Sequence, residues 1–309
     1  MHVAEDITKL IGRTPLVQLK RVLDPETNFI AAKLEQFNPC ASVKDRPAIG
    51  MIEDAERRGL LKPGATIIEA TSGNTGIALA FIAAARGYQL IVTMPESMSV
   101  ERRNLLKLFG AKLELTPAHL GMKGAIERAD ELKRKTKGAF LVSQFDNPAN
   151  PAAHEATTAE EIWADTDGRV DIVVCGVGTG GTLTGIGRNL KKRKASLRLI
   201  AVEPASSAVL SGSACGAHAI QGLGAGFVPS VLDKKCIDAI VKVTNEDAFT
   251  SARELARREG ILAGLSSGAV LAGTIQYLKT HPEVQSSFLV LIFPDSGERY
   301  ISLPGFLKG

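Results

Sequence analysis

Residues 174–183 read Val174-Cys-Gly-Val-Gly-Thr-Gly-Gly-Thr-Leu: an apolar β-branched run, then glycines interleaved with threonine, then a helical pattern beginning near Thr182. A strand that opens into a helix through such a turn is the repeating step of a parallel α/β fold. Outward from it the same rhythm recurs. Phe29 to Leu34, Thr66 to Ile68, Leu90 to Met94, Lys112 to Leu115 and Phe140 to Val142 read as strands before it, and Ile172 to Val177 runs into it. Leu197 to Val202 and Phe288 to Phe293 follow it, with helical stretches such as Ile77 to Arg86 and Ala248 to Glu259 between. Short apolar strands separated by helices predict two doubly wound, mainly parallel sheets.

The glycine-rich turn is also a place for an anion. Glycines let the backbone approach closely, threonine hydroxyls donate, and the amides and dipole of a helix N-terminus favour negative charge. Gly178, Thr179, Gly180, Gly181 and Thr182 are therefore the expected phosphate cradle. As letters, Gly176, Gly178 and Gly181 also satisfy a dinucleotide fingerprint. That segment lies mid-chain, however, and the acidic candidate Glu203 falls slightly beyond the expected offset.

A second strand-to-helix turn, Glu69-Ala-Thr-Ser-Gly-Asn-Thr-Gly, offers hydroxyls and helix amides for another anion, although Ser and Thr at such places also serve as ordinary caps. Two cradles suit a phosphate and a carboxylate. A third segment, Asn38-Pro-Cys-Ala-Ser-Val-Lys-Asp-Arg-Pro, reads as Ser42 capping a helix with Lys44 in its first turn. The positive end of the helix dipole disfavours an ammonium there, which with partial burial would free the amine as a base or nucleophile. Surface lysines in that position are common, so Lys44 gains meaning only beside the other two segments.

With 309 residues, 45% apolar and 23% charged, the chain has ordinary globular composition and room for two domains sharing a cleft. Its net charge of +4 is scattered, and the run Lys191 to Lys194 has no interleaved aromatics, so nucleic-acid binding is not expected. The opening MHVAEDITKL lacks a leader pattern, and no stretch approaches the roughly 18 apolar residues of a membrane span, which predicts a cytosolic protein with no membrane partner. Cys40, Cys175, Cys215 and Cys236 are too dispersed for a metal site and are expected as free thiols. Cys40, close to Lys44, raises the thought of a redox switch, against which stands the usual role of cysteine as a small apolar filler. His154 and His218 have no triad or metal pattern around them and read as structural or peripheral. Asp295 to Tyr300 is read as packing. Ser266-Ser267 lacks the turn of a serine hydrolase.

Ordered along the chain are Ile11-Gly-Arg-Thr-Pro-Leu, Ser42-Val-Lys-Asp-Arg, Thr71-Ser-Gly-Asn-Thr-Gly, Met94-Pro-Glu-Ser-Met-Ser-Val-Glu-Arg-Arg and Gly178-Thr-Gly-Gly-Thr. Gln221-Gly-Leu-Gly-Ala-Gly-Phe-Val-Pro, Gly264-Leu-Ser-Ser-Gly-Ala and Pro294-Asp-Ser-Gly-Glu-Arg-Tyr complete the series. Together they resemble the fold-type II pyridoxal-phosphate enzymes, related to the tryptophan synthase β chain, and within them the cysteine synthases (O-acetylserine sulfhydrylases, A type).

That resemblance implies a site, residue by residue. Lys44 holds pyridoxal 5'-phosphate as a Schiff base and shuttles the proton, Gly178 to Thr182 bind its phosphate, Asn74 bonds its 3′-oxygen, and Ser266 faces the pyridine nitrogen. An uncharged partner there leaves the ring a moderated electron sink. Thr71, Ser72, Thr75 and Gln144 take the substrate α-carboxylate. The implied reaction replaces the acetate of O-acetyl-L-serine with sulfide by way of an α-aminoacrylate, yielding L-cysteine.

Residues 1–42 and 149–309 form the larger, cofactor-anchoring domain in this reading, and 43–148 a smaller one that moves when the carboxylate binds. A homodimer is implied, as is capture of the C-terminal tail of serine acetyltransferase, which in a pseudoenzyme would be the sole role. The rivals are O-phosphoserine sulfhydrylase, cystathionine β-synthase and serine dehydratase, besides a nicotinamide oxidoreductase. Gly121-Met-Lys-Gly-Ala-Ile and the Gln221 segment favour the O-acetylserine type, no extra arginine marks a second phosphate site, and no regulatory module is expected.

Overall fold

The computed structural model describes residues 3–24, 26–98 and 100–307; Ser99, inside the Met94 to Arg103 motif, lies outside them. The chain divides into two compact units, residues 1–11 with 44–153 and residues 12–43 with 154–309.

The smaller unit begins with a 3-10 turn, Ile7–Leu10, and continues with α1 (Asp45–Arg57), β3 (Thr66–Ala70), α2 (Asn74–Arg86), β4 (Gln89–Pro95), α3 (Val100–Leu108), β5 (Lys112–Thr116), α4 (Gly121–Lys135) and β6 (Phe140–Leu141). Between those two segments the chain lays down β1 (Leu16–Gln18) and β2 (Phe29–Leu34) of the larger unit. The strands of the smaller unit form a parallel sheet in the order β5-β4-β3-β6. Ile68 and Ala70 of β3 pack on Ala125, Ala129 and Leu132 of α4. Residues 3–11, expected with the larger domain, instead belong to this unit, because the turn at Ile7–Leu10 packs on α2 and Arg86 reaches Thr8 Oγ1 at 3.5 Å.

The larger unit adds α5 (Ala149–Ala156, entered from the smaller unit), α6 (Thr158–Asp165), β7 (Ile172–Gly176), α7 (Gly181–Arg193), β8 (Arg198–Pro204), β9 (Ala239–Val243), α8 (Asn245–Glu254), α9 (Leu265–Thr280) and β10 (Phe288–Phe293). Its sheet runs β1-β2-β10-β7-β8-β9, parallel except for the β1–β2 pair. Alternation along the strands sorts their side chains onto two faces. Ile172, Val174, Ile200, Val202, Leu289 and Leu291 enter one core with Ala269 to Ala272 of α9. Val173, Cys175, Leu199, Ala201, Val290 and Ile292 enter another with Leu183, Ile186 and Leu190 of α7. Both faces are covered, as parallel sheets require. The fold is thus the mainly parallel α/β class that the strand rhythm predicts. No helix among the described residues is long and apolar enough to cross a membrane.

Two features hold the larger unit's elements in place. Lys33 of β2, wholly buried, is paired with Glu161 at 2.9 Å and Asp165 at 3.2 Å and donates to the Thr14 carbonyl at 2.6 Å, which compensates the cost of burying its charge. Helices α8 and α9 approach so closely at Gly268 that a Cβ there would lie 2.1 Å from the Ala248 carbonyl oxygen and 2.7 Å from the Ala252 nitrogen. Both obstacles are backbone, which cannot swing aside. Gly268→Ala is therefore expected to lower stability by roughly 1–3 kcal/mol, read as a lower urea midpoint; an unchanged midpoint would show that the helices can part without cost.

Candidate active site

Each residue expected in the site, except Gln144 in the turn after β6, stands at or shortly before the N-terminus of a helix. In the larger unit β7 ends at Gly176 and α7 begins at Gly181, with Gly180 as its N-cap at φ +81, where a side chain would be strained. As a glycine, this N-cap has no side chain to offer the helix amides. Thr179 and Thr182 are buried in this turn, and the Gly181 amide donates to Thr179 Oγ1 at 3.3 Å. Gly178 owes its identity to a neighbouring loop, since a Cβ would stand 2.2 Å from the Gly222 carbonyl oxygen, while the Gly224 amide donates to Val177 O at 3.0 Å. Hydroxyls at an uncapped, dipole-positive helix end form a donor set suited to a phosphate.

A dinucleotide does not suit it. Glu203, the only acidic candidate for a ribose, is buried and already accepts from the Leu210 amide at 2.8 Å, the Ser211 amide at 3.0 Å and the Ser211 hydroxyl at 2.6 Å. It braces a turn.

Ser266 lies buried in the first turn of α9, which also has no side-chain cap. The approach to that turn is fixed from beneath: the Gly264 amide donates to Asp295 O at 3.0 Å, and a Cβ on Gly264 would meet Asp295 Oδ1 at 2.1 Å and Tyr300 at 2.6 Å. The Tyr300 hydroxyl donates to Asp295 Oδ2 at 2.5 Å, which accounts for the Asp295 to Tyr300 motif as packing under α9.

In the smaller unit Lys44 is half-buried and is itself the N-cap of α1, a correction to its expected place in the first turn behind a Ser42 cap. Ser42 is instead drawn into a bridge with Asp295. Asn74 and Thr75 open α2 after Gly73, again without a side-chain cap. Thr71 precedes them at the end of β3, its hydroxyl accepting from the Gly73 amide at 3.3 Å. The Thr75 hydroxyl donates to Gln144 Oε1 at 2.7 Å, so two expected carboxylate ligands 69 residues apart meet directly. Ser72 is held by its backbone, whose carbonyl accepts from Arg102 Nη1 at 2.9 Å.

Three residues with no expected place in the site support these. Arg102 is one; its motif is visible, its role is not. His154, read as structural or peripheral, is buried and bonded through Nε2 to Thr182 Oγ1 at 3.2 Å and through Nδ1 to Thr158 Oγ1 at 2.8 Å, directly behind the phosphate turn. Glu69 is buried at the end of β3, where its carboxylate accepts from the Ser143 amide at 2.8 Å and the Gln144 amide at 3.4 Å. Burial pushes the Glu69 carboxyl up to about 7; the two amides and the Gln144 side chain pull it back down, and Asp146 adds repulsion.

None of the four cysteines is in a disulfide among the described residues, and Cys175 is a buried member of the core beside α7. Among the described residues no group of three or more His, Cys, Asp or Glu could hold a metal.

The raised Glu69 carboxyl has a thermodynamic consequence. The folded chain holds this proton more tightly than the unfolded one, so the associated stability is complete below the ordinary value of 4.5 and lost as pH rises through about 7. Relative to Glu69→Gln, the native protein should lose up to roughly 3 kcal/mol across that window. Urea midpoints of the two proteins at pH 4.5 and 8 measure it, and parallel curves would mean that Glu69 titrates normally.

The profile of the pyridoxal-phosphate-dependent enzyme family matches residues 7–295. A cysteine synthase of Staphylococcus aureus is 51% identical over 301 residues, covering 97% of this chain and 96% of its own. Among solved structures, the cysteine synthase of Entamoeba histolytica superposes with a TM-score of 0.94 at 46% identity, covering 99% of this chain and 91% of its own. An O-ureido-L-serine synthase superposes equally, with a TM-score of 0.94 at 47% identity and coverage of 98% and 95%. The turns at Gly178 to Thr182 and at Thr71 to Thr75 thus lie within a full-length match, and the chain belongs to the pyridoxal-phosphate-dependent enzymes.

Proposed function

We propose that this chain is a cysteine synthase, exchanging the acetate of O-acetyl-L-serine for sulfide to release L-cysteine. The observation that carries the reading is the head of α2, where Thr71, Ser72 and Thr75 stand at a helix terminus with a glycine N-cap and the Thr75 hydroxyl bonds Gln144, in the same unit as Lys44. That is a carboxylate site on the unit that bears the reactive amine, and it is what an amino-acid substrate demands.

The residues fit pyridoxal phosphate. Gly178 to Thr182 would hold its phosphate, Asn74 its 3′-oxygen and Ser266 its ring nitrogen, with Lys44 bonded to its aldehyde carbon. When bound, the cofactor supplies an electron sink for the charge that develops at the substrate α-carbon. The protein's own residues do the rest. Thr71, Ser72, Thr75 and Gln144 fix the substrate by its carboxylate, so that its amine can displace Lys44. The freed Lys44, neutral at the positive end of α1, takes the α-proton and returns it once sulfide has added at the β-carbon. Ser266, which carries no charge, avoids holding the ring nitrogen protonated. The smaller unit, residues 44–153 with 1–11, moves when the carboxylate binds and excludes water.

A cytosolic homodimer able to seat the tail of serine acetyltransferase completes this reading. The similarity to an O-ureido-L-serine synthase favours a second one, in which an oxygen nucleophile bearing a ureido group replaces sulfide.

The visible absorbance band of the holoenzyme should shift on adding O-acetyl-L-serine and return with sulfide as cysteine appears. A shift with O-phospho-L-serine alone would move the assignment to that donor, and reversal only by hydroxyurea would favour the second reading. Lys44→Ala should keep the far-ultraviolet circular dichroism of the native chain yet lose the lysine-dependent band and at least about 10³-fold in turnover. Retained turnover would remove Lys44 from the chemistry.

A further inference from the structure

Glu69 is a buried ionisable group with no part in the chemistry above, and its contacts converge on one element. Its two oxygens accept from consecutive amides, Ser143 at 2.8 Å and Gln144 at 3.4 Å. Ser143 has φ +55, a left-handed conformation that costs a non-glycine residue energy and persists only where its surroundings impose it. The turn is further tied by the Asn147 side chain to Val142 O at 3.0 Å and by the Asn150 side chain to Gln144 O at 2.8 Å. What this bracing delivers is the Gln144 carboxamide, whose oxygen takes the Thr75 hydroxyl at 2.7 Å.

We propose that Glu69 is a positioning residue for the substrate carboxylate, holding the Gln144 turn and selecting which end of the Gln144 carboxamide is presented. The inference rests on the assignment of Thr75 and Gln144 as carboxylate ligands. An amide turned the wrong way offers oxygen to an incoming carboxylate and repels it; turned the right way it offers N–H. The Gln144 side chain also hydrogen-bonds the Glu69 carboxylate, and an ionised carboxylate accepts and cannot donate, so Glu69 admits only the N–H₂ end of Gln144 on its side and leaves the oxygen to Thr75. A glutamine at position 69 both donates and accepts, and removes the selection while keeping the volume. The inference concerns affinity for the carboxylate alone, with no role in proton transfer at the α-carbon.

The test is ligand binding by the holoenzyme at about pH 8, read from the cofactor band. L-Serine carries the α-carboxylate, and ethanolamine is the same molecule without it. In Glu69→Gln the dissociation constant for L-serine should rise at least about tenfold, while that for ethanolamine and the unliganded band stay as in the native enzyme. The loss with O-acetyl-L-serine should fall on KM more than on kcat. In a Gln144→Ala background, Glu69→Gln should add nothing further to the L-serine constant, since the two act as one unit. Glu69→Asp, which keeps the charge, should recover part of the affinity and serves if the glutamine variant does not fold.

Equal weakening of both ligands, or additive effects in the double variant, would overturn the proposal and leave Glu69 as a brace of the fold. An unchanged L-serine constant in Glu69→Gln would do the same. A native band that discriminates the two ligands keeps the carboxylate site whatever the variants do; a native band indifferent to the carboxylate overturns that site and this inference together.

Discussion

A strand in a parallel sheet can hand the chain to its next helix only at its carboxyl end, and each such helix starts there with amides that no earlier turn can satisfy. This directional constraint assembles the two cradles at the ends of β3 and β7, with Thr71 to Thr75 on one and Gly178 to Thr182 on the other. At α2, α7 and α9 the N-cap is a glycine, which has no side chain to close the terminus, whereas Thr244 caps α8 by accepting from the Asp247 amide. Helices α4 and α6 also lack side-chain caps, so openness alone does not define a site. The distinction lies in the hydroxyls and glycines gathered around the open ends. An absent cap costs on the order of 1 kcal/mol, which an anion of the right shape can offset when it binds.

Much of this is legible in the amino-acid order because it is local. β2 and β10 match their apolar runs end for end, and the other expected strands differ from the observed ones by a residue or two. β1 and β9 escape such reading: the first is three residues following a proline, and the second, Ala239–Val243, is a half-buried edge strand with a lysine in it. The stretch from Ala248 to Glu259 reads as one helix, yet its backbone shifts to a π turn over Leu255–Glu259 before Gly260 ends it in the left-handed region.

The supporting residues are illegible for a different reason. Glu69 gains meaning only from an amide 74 positions away, Arg102 from a carbonyl 30 away and His154 from a hydroxyl 28 away. Nothing in a single sequence marks such partners. Glu203 makes the point in reverse: a buried glutamate at the end of β8, it takes the amides of a turn much as Glu69 does, but its turn presents none of the residues assigned to the substrate. Two carboxylates in matching positions do the same physical work, and their different worth depends on what each turn carries.

The order of strands in the larger sheet has a consequence for how the protein is made. β10, third in a sheet of six, lies between β2 and β7, and its residues 288–293 pair with 29–34 of a strand made more than two hundred residues earlier. On the ribosome the four strands of the smaller unit, all within residues 66–141, can meet long before that partner exists. β2 must wait with both β10-facing backbone and apolar side chains unsatisfied, a template for unwanted pairing. A nascent chain of this architecture therefore carries an incomplete larger sheet, closed only by a long-range pairing that is slow to form, until residues 288–293 emerge.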